Sequence, residues 1–274
     1  MAFPFARYVA LGDSSTEGLD DPLDGSREGS PTRYRGWADR LAAHVAAAQA
    51  THHPAAPRLA YANLAVRGRR TRQVLETQLE PALAMRPDLA TVFAGTNDVI
   101  QSGFDLDAVL ADLGTMQRAL RAQGATVLTI TMPDLSDLIP FAGRVSARLA
   151  DFNAGVRALG AATGTLVVDL AAHPWVTDPR LWSADRLHAN HEGHRRIAEA
   201  LAARLGVPGA GDDWAAPLPV RATPSALGRA FGDLGWVGGH LLPWLWRHAR
   251  GRSSGDRVVA KRPQLTPVAL DGDG

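Results

Sequence analysis

The 274-residue chain contains no cysteine. That excludes disulfides, a thiol nucleophile and any metal site built on cysteine. Lysine is reduced to one residue, Lys261, while arginine and alanine abound. The imbalance reads as the imprint of GC-rich coding, not as a functional signal. The formal charge is +1, so the chain as a whole lacks the charge of a nucleic-acid binder, and no nucleic-acid partner is expected. No apolar run approaches the length needed to span a bilayer. The stretch from Met1 to Tyr8 holds a proline and lacks a signal peptide's apolar core, which makes the cytoplasm the expected location. Neither a G-x-G-x-x-G nor a Walker A pattern is present, which counts against a nucleotide-binding protein.

What the chain does have is an alternation of two periodicities. Short apolar runs at Tyr8 to Leu11, Leu59 to Ala65, Leu89 to Ala94, Ala125 to Thr131 and Thr165 to Leu170 read as strands. Between them, Trp37 to Gln49, Thr71 to Met85, Leu106 to Gln123 and Val145 to Leu159 space their apolar residues as helices do. Alternating strands and helices predict βαβ units, a buried parallel sheet and right-handed crossovers that put helices on both faces. In such sheets ligands bind beyond the carboxyl ends of the strands.

Four short motifs fall at those ends or in the matching late loop. Gly12-Asp13-Ser14 closes the first run, and Asn63-Leu64-Ala65-Val66-Arg67-Gly68 closes the second. Gly95-Thr96-Asn97-Asp98 closes the third, and Asp185-Arg186-Leu187-His188 precedes the last helix-like segment. Ser, Gly, Asn and His in this order, with an Asp three residues before the His, resemble the SGNH hydrolases, the GDSL-type esterase and acylhydrolase superfamily. The resemblance covers roughly residues 7–205. It implies a three-layer α/β/α fold, flavodoxin-like and doubly wound, with five parallel strands in the order 2-1-3-4-5. Two departures are visible: Ser15 stands where Leu is common, and Ala189 where Pro is common. Neither removes a functional group.

The chemistry follows from the residue types. A serine hydroxyl attacks only when a base takes its proton, and His188, with an ordinary pKa near neutrality, is the candidate base for Ser14. Asp185 is placed to hold the imidazole tautomer and to stabilise the imidazolium. The resemblance assigns the oxyanion hole to the backbone N–H groups of Ser14 and Gly68 and to the side-chain amide of Asn97. The expected reaction is hydrolysis of a small-molecule acyl ester through a Ser14 acyl-enzyme, with no cofactor and no metal. The same residues also suit a thioesterase or a carbohydrate deacetylase, and a binding module without catalysis is a rival from another class.

Bland readings compete at each position. Ser14 with Ser15 and Thr16 could merely cap a helix, and Asn97-Asp98 could form an Asx turn. His188, His191 and His194 invite a metal, but a three-residue spacing drifts around a helix. Gly251-Arg252-Ser253-Ser254-Gly255 matches the G-x-S-x-G pattern literally, yet it lacks the flanking strand and helix that the elbow needs.

A loop rich in Asp, Gly, Pro and Ser, from Leu19 to Arg33, starts beside Ser14 and is a candidate substrate entrance. The expected division is a hydrolase domain at 1–210 and a Trp- and Arg-rich extension at 211–274. The cluster of Trp236, Leu241, Leu242, Trp244, Leu245 and Trp246 is too apolar for a solvated arm. It either packs on the core, the favoured reading, or makes weak contact with an anionic membrane surface.

Overall fold

The computed structural model describes residues 3–23, 34–139, 143–219, 235–241, 255 and 258–270. Five parallel strands form its centre: β1 (Arg7–Gly12), β2 (Ala60–Asn63), β3 (Leu89–Phe93), β4 (Thr126–Ile130) and β5 (Leu166–Val168). β3 is buried along its whole length, and β1 is buried except at Arg7. Strands covered on both faces need continuous apolar sequence, and Tyr8-Val9-Ala10-Leu11 and Leu89-Ala90-Thr91-Val92-Phe93 supply it.

The helices are α1 (Ser14–Glu17), α2 (Gly36–His52), α3 (Thr71–Ala84), α4 (Thr96–Val99), α5 (Leu106–Ala122), α6 (Gly143–Thr163) and α7 (His191–Leu205). α2 packs on α7, while α3 packs on α5 and α5 on α6. The chain therefore has the expected α/β/α architecture, and β2-β1-β3-β4-β5 is the expected order.

The expectation of five strands falls one short. A sixth strand, β6 (Arg262–Pro267), adds antiparallel to β2 and becomes the sheet edge. Tyr61 pairs with Thr266 and Asn63 with Arg262 across an irregular register. Pro263 and Pro267 hid it from a pattern reading, because proline cannot donate to a ladder and is tolerated in strands mainly at edges. Val268 then donates its N–H to Leu59 O at 2.9 Å and buries its side chain.

Parallel pairing puts the carboxyl ends of β1, β2 and β3 along one edge of the sheet. Gly12 is required there. A Cβ at this position would lie 2.3 Å from Thr16 Oγ1 and 2.4 Å from Phe93 O. Gln78 of α3 grips the same residue, taking the Gly12 N–H and donating to Gly12 O, each at 2.9 Å. The turn that carries the next two residues is thus pinned from the helix layer.

Candidate active site

Asp13, not Ser14, caps the short helix α1: its carboxylate accepts from Ser15 N at 3.2 Å. That leaves the Ser14 hydroxyl to His188, whose Nε2 lies 2.8 Å away. The neighbouring Ser15 hydroxyl turns elsewhere and accepts from Trp37 Nε1 at 3.3 Å. His188 Nδ1 lies 2.6 Å from Asp185 Oδ2. The other oxygen of Asp185 accepts from Leu187 N, His188 N and Ser183 Oγ at 2.9, 3.0 and 2.6 Å.

The loop that presents these residues is closed on itself. Trp182 and Ala189 form an antiparallel bridge, Ser183 N donates to His188 O, and Asn190 N donates to Leu181 O. Arg186, at its tip, takes a left-handed conformation with φ of 60°. Asn190 then starts α7, its side chain accepting from Glu192 N and Gly193 N. Gly193 must be small: a Cβ there would lie 2.4 Å from Leu181 O.

Electrostatics favour a proton on the imidazole more than in water. Burial of His188 works against its charge, but the hydrogen bond and charge of Asp185, with the charges of Asp20 and Asp13, outweigh it and raise the pKa. Burial also opposes ionisation of Asp185. Its bonds from His188 and Ser183 nevertheless hold the carboxyl well below the usual range. Asp13 is fully buried, and desolvation outweighs its bond from Ser15 N and the charge of His188, so its pKa is pushed up to about 7.

On the other side of Ser14, Gly68 adopts φ of 72°, open chiefly to glycine. The residue before it, Arg67, forms a partly buried ion pair with Glu17 of α1 and donates its backbone N–H to Glu17 Oε2 at 2.7 Å. Two residues before Asn97, Gly95 has φ of 122°, and a Cβ there would lie 2.7 Å from the Phe152 ring, so the position strongly disfavours a side chain. The Asn97 amide donates to Arg69 O at 3.0 Å and to Asp13 Oδ2 at 3.3 Å. Asp98 is not a simple Asx turn, since its carboxylate receives both Thr71 N and Thr71 Oγ1 at 2.9 Å.

The three histidines of the late segment do not converge on one point. Trp37 N donates to His194 Nδ1 at 3.0 Å and His194 Nε2 donates to Leu19 O at 2.9 Å, so both ring nitrogens are occupied. Burial pushes this imidazole down to about 4, in keeping with a neutral structural clasp. His191 Nδ1 lies 3.1 Å from Asp21 Oδ1. Among the described residues, polar atoms of Asp20, Asp185 and His188 do lie within 4.8 Å of one another. Within that group Nδ1 is engaged by Asp185 at 2.6 Å.

Several participants carry no motif: Glu17, Asp20, Gln78 and Ser183 are single polar residues whose partners Arg67, Ser183, Gly12 and Asp20 are far away in the sequence. Trp236, in the expected extension, donates its indole N–H to Asp185 O at 3.0 Å and lies under the Arg186 guanidinium. Of the Trp and Leu cluster, Leu242, Trp244, Leu245 and Trp246 lie outside the described residues, as do 24–33 of the candidate entrance loop and 251–254 of the G-x-S-x-G match.

A serine, a histidine and an aspartate in hydrogen-bonded series at the carboxyl edge of a doubly wound sheet define a serine hydrolase class. The sequence profile of the GDSL-like Lipase/Acylhydrolase family matches residues 10–196, and the chain belongs to that family. It is a carboxylic ester hydrolase acting on small-molecule esters. No curated protein matches the chain significantly. Solved structures with the same fold include a mutant of Axe2, an acetyl-xylooligosaccharide esterase from Geobacillus (TM-score 0.59, 18% identity, covering 75% of this chain and 96% of that one). LAE5, an alpha/beta hydrolase from the metagenome of Lake Arreo, Spain, gives a TM-score of 0.58 at 21% identity, over 74% and 95%. A lipase/acylhydrolase from Enterococcus faecalis gives 0.55 at 22% identity, over 73% and 95%.

Proposed function

We propose that the chain cleaves carboxylic esters through an acyl-enzyme on Ser14. His188 Nε2 takes the Ser14 proton as Oγ bonds to the ester carbon, and returns it to the departing alcohol oxygen. Asp185 fixes the Nδ1–H tautomer and stabilises the imidazolium. The backbone N–H groups of Ser14 and Gly68 and the amide of Asn97 receive the oxyanion, with the longer Asn97 bond, to Asp13, the one released. Water attacks in the second half-reaction by the same route. The observation that carries this reading is the pair of contacts on one imidazole, 2.8 Å to Ser14 Oγ and 2.6 Å to Asp185. A panel of p-nitrophenyl esters from acetate to palmitate tests it, with fluorophosphonate labelling as a second readout. Ser14→Ala abolishes turnover and labelling if the reading holds, and Ser15→Ala keeps most of both. The acetyl-ester-cleaving neighbour makes sugar acetyl esters the second substrate class to assay.

The division into a hydrolase domain at 1–210 and an extension at 211–274 belongs to the same proposal, with the extension packed on the core. Supporting it are β6 on the sheet edge, Trp236 on the Asp185 loop, and Lys261. The Lys261 ammonium is buried against Tyr34 O, Arg35 O and Asp39 Oδ1 at 3.0, 2.7 and 3.0 Å. Among the described residues no helix is long and apolar enough to cross a membrane. Truncation after residue 210 lowers the melting temperature under this reading. An unchanged melting temperature with lost binding to anionic liposomes would favour the membrane role instead.

A further inference from the structure

We propose that Asp20, acting through Ser183, is a second carboxylate serving His188. The inference rests on the triad reading and extends it. Asp20 leaves α1 in a left-handed conformation, φ of 64°, which brings its side chain back toward the late loop. Its Oδ2 lies 3.9 Å from His188 Nδ1 and 2.7 Å from Ser183 Oγ. Ser183 Oγ is at the same time 2.6 Å from Asp185 Oδ1.

A hydroxyl carries one proton, and this one faces two carboxylates. When it points to Asp20, Asp185 loses a donor and presents more of its charge to the imidazole. When it points to Asp185, Asp20 lacks that proton and its charge stands 3.9 Å from Nδ1. In either state one carboxylate near His188 lacks the hydroxyl's proton. The demand peaks as the Ser14 O–H bond breaks and its proton reaches Nε2, because the imidazole then carries a full positive charge. Rotation of one hydroxyl, with no backbone motion, reapportions negative charge between the two acids. Asp20 is therefore a positioning and electrostatic residue that reaches the reacting atoms only through His188. The charged groups facing that imidazole are Asp185 from its own loop, Asp20 from the loop after α1 and Asp13 from the end of β1. The nearby Arg186 sends its Nη1 to Leu138 O at 2.8 Å.

The test uses the full chain with Asp20→Asn and Asp20→Gly. Both residues suit a left-handed backbone, so both variants are expected to fold. The first readout is the titration of the His188 imidazole by NMR, which does not depend on turnover. Losing the second acid lowers its midpoint by about 1 pH unit, and the acid limb of kcat/KM on p-nitrophenyl acetate moves down with it. The second readout is rescue. Asp185→Asn alone costs about 10²-fold in kcat, while Asp20→Asn/Asp185→Asn costs about 10⁴-fold, the loss typical when a triad carboxylate has no substitute. An unmoved His188 midpoint in both Asp20 variants, with Asp185→Asn equally active whether Asp20 is present or not, overturns the proposal. If the wild-type chain neither turns over esters nor reacts with a fluorophosphonate, the esterase reading fails, and the NMR titration still decides the role of Asp20.

Discussion

The two sides of Ser14 are built by different means. The proposed oxyanion side is assembled from backbone at the carboxyl ends of the strands and braced by paired groups. Glu17 and Arg67 form a partly buried ion pair beside Gly68, Gln78 clamps Gly12 at both its N–H and its carbonyl, and Asn97 donates to Arg69 O. The proposed acid–base side stands on a loop outside the sheet. There, carboxylates and a hydroxyl surround the imidazole, and Trp236 steadies the loop from a point 51 residues along the chain. The difference matches the two tasks. Donors for a developing oxyanion help most when they are fixed before the charge appears. A proton shuttle needs partners whose charge can respond when the imidazole changes state.

Removing the shuttle is the largest perturbation of that contrast. His188→Ala lowers kcat by about 10⁴-fold or more, and at least as much as Asp185→Ala, because without it nothing takes the Ser14 proton. The pH profile of the wild type carries the sign of the same chemistry. His188 must be neutral to act as base, so kcat/KM rises with pH. The upward shift of its pKa puts the midpoint of that limb above the ordinary histidine value of 6.5. Wild-type turnover in His188→Ala, or a limb well below pH 6.5, would break the acid–base half of the comparison.

On the fixed side the effect is smaller and of another kind. Asn97→Ala lowers kcat by about 10²–10³-fold and leaves KM nearly unchanged, since the donor acts mainly in the transition state. A change confined to KM would make Asn97 a substrate-binding residue. Glu17→Gln tests the brace beneath Gly68. The charge left behind, Arg67, is partly exposed, so the loss is below that of a fully buried pair, about 1–3 kcal/mol, and thermal denaturation should show a melting temperature lower by about 5 °C. The loss of kcat is expected to be smaller than in Asn97→Ala, because Gly68 keeps its own backbone geometry. An undiminished melting temperature would mean that Arg67 is positioned without Glu17.

What could be read in advance divides along the same line. Ser14, Gly68, Asn97, Asp185 and His188 stand in short motifs with a glycine or a fixed spacing, and three of them follow strands whose apolar runs are plain. Parallel order then brings the ends of β1, β2 and β3 together. The braces were not legible. Glu17 and Arg67 are 50 residues apart, Gln78 and Gly12 are 66, and Asp20 and Ser183 are 163. Such pairs leave no local period, because only the fold makes them neighbours. β6 failed for a different reason: two prolines in six residues contradict strand propensity, and pairing at an edge overrides it.

Trp236 is the finest probe of the contrast, because it touches the responsive side without touching a reacting atom. Its indole N–H reaches Asp185 O, and its ring lies beneath Arg186. Trp236→Phe keeps the ring and deletes one neutral hydrogen bond, a loss of about 0.5–1.5 kcal/mol. If that bond helps to set the Asp185 loop, kcat falls by about 2- to 10-fold at constant KM. Asn97→Ala combined with Trp236→Phe then multiplies the two losses, since the sites act on opposite sides of Ser14. A Trp236→Phe enzyme with wild-type kcat and a lowered melting temperature would confine this residue to packing. The proposed acid–base loop would then owe its geometry to contacts such as those of Ser183, Asn190 and the Trp182–Ala189 bridge.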